Sequence, residues 1–461
     1  MRLEAIKIEG LFGTFNHTVN FNEDRITIIL GQNGLGKTVI LRMIKAFFDQ
    51  NFIELKDYYF EKFTLFFNNK TIVQVTRFQE KNGSNNVKIE NLSAPSTRSG
   101  KKKIEPFTPK LDADRRRSSS HYAFNQETLF DFEVYDEELA FLIRKYLPFP
   151  LTQVAPNVWM DPTRGRTYNT WELIDRYRNI LPKEILAKRN TPEWLNTITE
   201  SYNPRIIESQ RLLNRIKSED SKYKSAVIEY SQEIVERIKT KRSEANDLAT
   251  KLDRTYPHRL ISNINNQKTV SNKELLDSLL QLEARRISLN EVGLLDTEEN
   301  YIQPDLEDKQ KEYIKNVLLS YINDSNEKLD IYNDLAKKIF LFLNIINKRF
   351  TYKKLSIDKQ QGFKCISAIG KDIPLGSLSS GEQHELVLFY QLIFNTQSST
   401  MLLIDEPEIS LHISWQNEFI NDLKEVIEIN EMDIVIATHS PDVINNYWHL
   451  TNQLQGIIHD S

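Results

Sequence analysis

The sequence predicts an α/β protein in which a long helical segment interrupts a sheet-containing domain. Short β-type runs separated by turn residues fill the chain to about residue 90, and apolar strands alternate with helices after residue 350. Between Arg166 and Gln361 the only glycine is Gly293, which favours long helices because glycine is costly inside them. Apolar strands that alternate with helices are typical of a parallel sheet covered on both faces.

The first β-type runs are broken by turn residues, a spacing typical of antiparallel hairpins. They are Ile6–Ile8, Thr18–Phe21, Ile26–Leu30, Phe63–Phe67, Ile72–Phe78 and Val87–Ile89. A helical run, Val39 to Phe48, follows the third of them.

Three helical segments are expected between residues 171 and 350, at about 205–256, 258–303 and 305–350, because proline ends or kinks a helix near the residue before it. Apolar residues keep a spacing of three or four in the first and third segments. This pattern predicts helices that pack on one another, either as a protruding coiled-coil arm or as a compact bundle.

The last part of the chain is expected to alternate strand and helix. The expected strands are Lys354–Ile357, Phe363–Ala368, Met401–Ile404 and Ile434–Ala437, and the expected helices are Glu382–Phe394 and Leu411–Ile429. The chain is therefore divided into an N-terminal part of the sheet-containing domain (1–170), a helical or coiled-coil insertion (171–350) and a C-terminal part of the same domain (351–461).

Composition excludes several classes of protein. The 461 residues include 60 Lys and Arg against 64 Asp and Glu, a net charge of −4, which excludes a globally basic nucleic-acid-coating protein. No run approaches the roughly 20 apolar residues of a membrane span, and the amino terminus lacks an apolar signal core, so a cytoplasmic location is expected. The single cysteine, Cys365, excludes an internal disulfide and a CxxC zinc site within one chain.

A basic, turn-rich loop is expected at about 93–121, with three lysines at 101–103 and three arginines at 115–117. It is interpreted either as a segment that contacts nucleic-acid phosphates or as a solvated loop, since charge runs are usually solvated.

The strongest local motif, at residues 31–38, is GQNGLGKT, which fits G-x-x-x-x-G-K-[ST] between an apolar strand and a helix. Backbone N–H groups of such a loop and the helix dipole bind phosphate oxygens. The lysine would meet the β- and γ-phosphates of ATP, and the threonine hydroxyl would bind Mg²⁺. The candidate nucleotide-binding residues are Asn33, Gly34, Gly36, Lys37 and Thr38.

Two carboxylates follow a buried strand in MLLIDE, residues 401–406. Asp405 is expected to hold Mg²⁺, together with Thr38, and Glu406 to act as the general base for the attacking water. His439 follows the strand Ile434–Ala437, which must neighbour the Asp405 strand, so His439 is expected near the γ-phosphate. Lys37, Glu406 and His439 are thus the candidate catalytic residues.

A second phosphate-binding surface is expected at LSSGEQ, residues 378–383, directly before a helix. Serine hydroxyls, a glycine backbone and a helix start favour anion binding, and a simple helix cap is the alternative. The candidate residues are Ser379, Ser380, Gly381 and Glu382.

Taken in this order, the four motifs resemble those of ABC-type ATPase heads, with a helical insertion as in the SMC and RecF types. The resemblance covers about residues 1–90 and 350–461. It implies ATP and Mg²⁺ as ligands and a homodimer in which the signature, Ser379 to Glu382, acts on the nucleotide of the other subunit. A glutamine that senses the γ-phosphate is also implied, with Gln153 as the preferred residue and Gln74 and Gln79 as alternatives.

The segments DEPEISLH, at 405–412, and THSP, at 438–441, resemble the OLD-like branch of bacterial phage-defence ATPases, although Ile413 stands where that branch usually has proline. Only 22 residues follow His439, so nuclease activity is expected on a separate subunit. Size and layout are most similar to the ATPase subunits of Septu systems, which implies an HNH nuclease partner; the PARIS ATPases, with a Toprim-like partner, are the rival. A further alternative is an SMC- or RecF-like DNA-repair ATPase that contacts DNA through 101–117.

Overall fold

The computed structural model describes most of the chain, in ranges separated by gaps. They are residues 1–80, 85–93, 105–109, 143–147, 151–155, 158–161, 166–170, 173–174, 177, 191–208, 213–214, 224–265, 271–296, 311–396, 400–409 and 411–456. The chain forms two compact units. The first comprises Met1–Glu208, Ser398–Pro407 and Met432–Ser461, and the second comprises Ser209–Gln397 and Glu408–Glu431.

Helices and strands alternate along the described ranges. The helices are α1 Lys37–Phe48, α2 Phe52–Asp57, α3 Glu193–Thr199, α4 Ala226–Asn265, α5 Asn272–Glu291, α6 Lys311–Asp330, α7 Asn333–Arg349, α8 Ser380–Phe394, α9 Ile413–Gln416, α10 Phe419–Asn430 and α11 Pro441–Ile444. The strands are β1 Leu3–Leu11, β2 Phe15–Asn20, β3 Ile26–Leu30, β4 Lys62–Phe67, β5 Ile72–Gln79, β6 Asn85–Asn91, β7 Thr152–Ala155, β8 Val158–Asp161, β9 Arg166–Asn169, β10 Asn203–Glu208, β11 Leu213–Asn214, β12 Lys224–Ser225, β13 Lys353–Asp358, β14 Gly362–Ser367, β15 Asp372–Ile373, β16 Thr400–Asp405, β17 Asp433–Thr438 and β18 Thr451–Gln453.

The first unit contains a parallel sheet in the order β10-β16-β17-β3-β18. Its central strands are almost wholly buried, as expected for a sheet covered on both faces. The predicted strands Ile26–Leu30, Met401–Ile404 and Ile434–Ala437 are confirmed within this sheet. The α/β fold class with a long helical insertion is therefore confirmed.

The edge strand β10 contradicts the helix that was expected from about residue 205. It pairs in parallel with β16 along its whole length, with Glu208 opposite Asp405. Pro204 lies in it and cannot donate to a ladder, which an edge strand tolerates. The strand and the preceding α3 belong to the first compact unit, which extends to Glu208, so the units do not follow the three sequence regions.

The first unit also contains an antiparallel sheet in the order β2-β1-β4-β5-β6, which confirms the predicted hairpins. Helix α1 lies between it and the parallel sheet. One apolar face of α1, including Ile44 and Phe47, is buried, and the rings of Phe47 and Phe63 meet edge to face at 6.4 Å. Full burial of each such side chain stabilises the fold by about 1.5–3 kcal/mol, which fixes the start of α1 beside the strands.

The second unit contains the long helices, and their packing on one another is confirmed. Helix α6 contacts both α4 and α5, and ion pairs join Arg259 to Asp324 and Arg285 to Asp330. With 40 residues, α4 is roughly 60 Å long.

The expectation that a helix ends before Pro257 is wrong, because α4 runs through it to Asn265. The proline ring is exposed. A proline at 257 leaves the Asp253 carbonyl without its helical N–H donor. The neighbouring Leu252 carbonyl accepts from Thr255 Oγ1 at 3.2 Å and from Arg259 at 2.7 Å, and such side-chain donors stabilise the backbone around the proline.

Other boundaries also differ from the sequence predictions. The third helical segment is divided into α6 and α7, and the helix expected at Leu411–Ile429 is divided into α9 and α10. The small sheet β13-β14-β15 confirms the strands expected at Lys354–Ile357 and Phe363–Ala368. Within the described ranges, no helix combines the length and the apolar character needed to cross a membrane.

Candidate functional site

Residues 31–36, which we call the phosphate loop, join the end of β3 to the start of α1. Two glycines of this loop have a positive φ. Gly34 and Gly36 have φ values of 90° and 89°, which residues other than glycine rarely adopt. A Cβ on Gly36 would also lie 2.7 Å from Leu11 Cδ2. In the described structure no side chain caps α1, and its first turn holds no acidic residue, so its N–H groups are suited to an anion.

Lys37 is folded back over the loop that precedes it. Its Nζ donates to the carbonyl oxygens of Gly31 at 2.7 Å and Gln32 at 3.3 Å, and to Asn33 Oδ1 at 3.4 Å. Only 5% of the residue is exposed. The ammonium group is therefore held at the loop, where it would meet a bound phosphate, rather than extended into solvent.

Thr38 and Asp405 meet at the carboxyl edge of the parallel sheet. Thr38 Oγ1 donates to Asp405 Oδ1 at 3.1 Å. The pairing of β3 with β17, and of β17 with β16, brings the two together. Burial raises the pKa of Asp405 and the Glu406 charge adds to the rise, whereas the Thr38 hydrogen bond and the charges of Arg42 and Lys37 oppose it.

These oxygens fit a magnesium ion. Mg²⁺ prefers hard oxygen ligands and is usually held by one or two carboxylates together with substrate phosphates and water. Thr38 and Asp405 supply such a hydroxyl and carboxylate. Among the described residues, no group of three or more His, Cys, Asp or Glu side chains could hold a metal alone, so the phosphates would have to complete the ligand set.

Glu406 and His439 lie side by side at the same edge. Asp405 is in register with Ala437, and the Glu406 N–H donates to the Ala437 carbonyl at 2.8 Å. Glu406 has a φ of 47°, a left-handed conformation that is uncommon outside glycine. Its Oε1 lies 3.9 Å from His439 Nδ1, and the two side chains are 29% and 48% exposed. Both groups therefore face solvent next to the phosphate loop.

Arg42 was not among the sequence candidates. It lies one helical turn after Thr38 on α1, and its charge acts on Asp405. The spacing of four from Thr38 was the available signal, because residues four apart share a helix face.

The signature segment belongs to the second unit, where it opens α8. Ser379 is the N-cap of this helix; its Oγ accepts from the Glu382 N–H at 3.4 Å, and its own N–H donates to Glu382 Oε2 at 2.9 Å. Lys353 Nζ donates to the same carboxylate at 2.9 Å. The helix cap that was considered as an alternative is therefore present. A capped helix start does not exclude anion binding. Ser380 and Gly381 form the first turn.

The three glutamines considered as γ-phosphate sensors differ in their surroundings. Gln153 accepts from Arg144 at 2.8 Å and Gln74 donates to Thr64 at 3.3 Å, while Gln79 is exposed. The basic clusters at 101–103 and 115–117 lie outside the described residues.

A family profile identifies the chain as an ATPase. The sequence profile of a family described as AAA ATPase domain matches residues 1–444. The chain is similar to the Smc head domain with an extended coiled coil from Pyrococcus furiosus, bound to the C-terminal domain of ScpA, at 14% identity over 96% of this chain and 91% of that one, with a TM-score of 0.36. It is also similar to the SMC head domain from Thermotoga maritima, at 12% identity over 99% and 96% of the chains, with a TM-score of 0.31.

No curated protein sequence matches the chain. The family profile nevertheless spans nearly all of its 461 residues. The chain therefore belongs to the AAA ATPase domain family, and this membership implies ATP hydrolysis.

Proposed function

We propose that the chain binds ATP with Mg²⁺ at the phosphate loop and hydrolyses it there. The observation that carries the proposal is the contact of Thr38 with Asp405, which joins the phosphate loop to the acidic strand end. Lys37 directly precedes Thr38, and Glu406 directly follows Asp405. These two residues and His439 lie at the same edge of the sheet.

In this proposal Lys37, the loop N–H groups, including those of Gly34 and Gly36, and the N–H groups at the start of α1 bind the β- and γ-phosphates. Thr38 and Asp405 would hold Mg²⁺, which when bound neutralises charge on the phosphate oxygens. Asn33 would complete the loop around the phosphates.

Glu406 acts as the general base. Its carboxylate takes a proton from water, the water oxygen bonds to the γ-phosphorus, and the bond to the β–γ bridging oxygen breaks, so that ADP leaves with the electron pair. His439 lies 3.9 Å from Glu406, which supports a role in orienting the γ-phosphate.

We also propose that two copies enclose the nucleotides head to head. Ser379, Ser380, Gly381 and Glu382 form the N-terminal turn and cap of α8, which presents hydroxyl and N–H donors. Under the ABC-type resemblance these groups bind the γ-phosphate held by the partner subunit. A homodimer is the smallest assembly that satisfies this arrangement, and higher oligomers satisfy it as well.

The finer proposal is a regulatory ATPase of an antiphage defence complex that gates a separate nuclease. It is supported by the resemblance of residues 405–412 and 438–441 to the OLD-like branch, with the Septu ATPases and their HNH partner preferred and the PARIS ATPases as rival. The alternative is an SMC- or RecF-like DNA-repair ATPase, favoured by the charge of residues 101–117.

The proposed assembly is tested by light-scattering mass, with and without ATP and Mg²⁺, for wild type and Glu406→Gln, alone and with a candidate HNH nuclease. A dimer or larger assembly that captures the nuclease supports the defence proposal. A monomer that dimerises only with ATP and ignores the nuclease contradicts it. Steeply salt-dependent duplex binding that is lost on deleting 101–117 would favour the repair alternative.

A further inference from the structure

Two basic side chains, one at the end of the helical insertion and one just after it, face two acidic side chains on α8. Arg349 is the last residue of α7, and Lys353 is the first residue of β13. Arg349 approaches Glu385, and Lys353 approaches Glu382. The two glutamates are three apart on α8 and therefore share one of its faces.

The contact between Lys353 and Glu382 is close and partly shielded from water. Lys353 Nζ lies 2.8 Å from Glu382 Oε1 and 2.9 Å from Oε2. The side chains are 21% and 15% exposed. Since Glu382 Oε2 also accepts from the Ser379 N–H, Lys353 is one side chain away from the signature serine.

The contact between Arg349 and Glu385 is more deeply buried. The side chains of Arg349, Glu385 and Asp422 are 5%, 0% and 5% exposed. One guanidinium thus serves two carboxylates, and it also lies over the Phe389 ring at 4.9 Å.

Arg349 is hydrogen-bonded to Asp422 on α10. Its Nε is 3.0 Å from Glu385 Oε1, but neither oxygen of Glu385 accepts a hydrogen bond from the residues that the structure describes. A buried carboxyl group without hydrogen bonds is costly, even when it is neutral. This cost is hard to explain if Glu385 serves stability alone.

We propose that Arg349 and Lys353 are positioning residues for ATP hydrolysis, which hold the first turn of α8, and with it Ser379, in the orientation that the reaction needs. This inference rests on the proposed trans role of the signature. Because Arg349 ends α7, the same contacts tie the signature turn to the helical insertion.

The test measures ATP turnover of the full-length chain as a function of ATP concentration, with Lys353→Gln and Lys353→Arg. We expect Lys353→Gln to lower kcat roughly tenfold, with the KM for ATP unchanged, because the phosphate loop that binds ATP in each subunit is untouched. Lys353→Arg, which keeps the charge, should recover most of the loss.

The matched control is Lys348→Gln. Lys348 is one residue before Arg349 and pairs with Glu425 on α10 at 3.5 Å. The substitution therefore removes a nearby positive charge whose ion pair is with α10 rather than with α8. It should retain wild-type turnover. Arg349→Lys provides a second variant, and the folded fraction of each protein is checked by circular dichroism.

A double-mutant cycle of Lys353→Gln with Glu382→Gln should show non-additive losses in kcat. A Lys353→Gln enzyme that turns over ATP as fast as the Lys348→Gln control would overturn the positioning role. Loss of turnover in Lys37→Ala but not in Ser379→Arg would instead show that the trans signature proposal has failed, and the positioning role with it. Wild type without ATP turnover would contradict the proposed function itself.

Discussion

The hydroxyl of Thr38 donates to Asp405 at 3.1 Å across 367 residues of sequence. This contact joins the first turn of α1, which follows β3, to the end of β16. Strand β16 lies two strands from β3 in the parallel sheet. Since a magnesium ion in such a site is held by groups of this kind, the relationship makes specific predictions about metal and nucleotide binding.

Asp405→Asn should weaken the binding of Mg²⁺ without abolishing nucleotide binding. The substitution removes the charge that would face the cation but keeps an oxygen of similar size. We expect the Mg²⁺ concentration for half-maximal turnover to rise at least roughly tenfold, as for loss of a charged ligand. Magnesium titrations of the ATPase rate would measure it. An unchanged half-maximal concentration would mean that Asp405 does not hold the metal.

Lys37→Met should weaken ATP binding by about 2–3 kcal/mol, because the ammonium is held at the phosphate loop by Gly31, Gln32 and Asn33. Isothermal titration calorimetry would give the affinity. The control is Lys7→Met, which removes an exposed lysine paired with Glu9 at 2.6 Å and should bind ATP as wild type does. Equal affinities for the two variants would remove Lys37 from the site.

Gly36→Ala should destabilise the fold by about 1–3 kcal/mol and impair nucleotide binding, since it adds a steric clash to a strained φ. Gly370→Ala is a control for the strain alone. Gly370 has a φ of 79°, and a Cβ there would meet no described atom within 4 Å, so about 1 kcal/mol is expected. Urea unfolding measures both. If Gly36→Ala cost no more than Gly370→Ala, the predicted clash with Leu11 would be absent.

Glu385→Gln should make stability less dependent on pH. Burial raises the pKa of Glu385 to about 8; Asp422 on α10 and Glu382 on α8 add to the rise, and Arg349 on α7 opposes it. The folded state therefore holds a proton that the unfolded state releases above its ordinary pKa near 4.5. Stability from this group is fully present below pH 4.5 and is lost as pH rises towards 8.

The comparison of melting temperatures at pH 5 and pH 9 would measure this dependence. At pH 9 Glu385→Gln should melt higher than wild type, and at pH 5 the two should differ little. Glu425→Gln is a suitable control, because Glu425 forms an exposed pair with Lys348. A wild-type curve parallel to that of Glu385→Gln across this range would show that Glu385 is ionised in the fold.

The motifs at the strand ends could be predicted from sequence because each is local. Residues 31–38 carry their own glycines between an apolar strand and a helix. Asp405 directly follows an apolar run that must be buried, and His439 comes two residues after another. Strand β10 could not be predicted in this way. Asn203–Glu208 has a proline and an arginine in its first half, and only its pairing with β16 makes it a strand.

The contacts around α8 show what a single sequence leaves hidden. Glu385 follows the polar residues 380–384 and stands directly before the apolar run that begins at Leu386, so the sequence pattern does not mark it as buried. Its partner Arg349, and Asp422, which pairs with the same arginine, come from two other helices, and no local pattern links them. Helix α4 shows the opposite case, because Pro257 is a strong local signal that tertiary contacts override.

The central claim is that Glu406 is the base of an ATPase site built around Thr38 and Asp405. The most direct test is phosphate release by wild type, Glu406→Gln and Glu90→Gln, measured with ATP affinity for each protein. Glu90 is a suitable control because it is also 29% exposed and is paired with Lys88 at 2.9 Å. We predict that Glu406→Gln binds ATP as wild type does but releases phosphate at least roughly a hundredfold more slowly, with Glu90→Gln unchanged. Equal rates for Glu406→Gln and wild type would contradict the account.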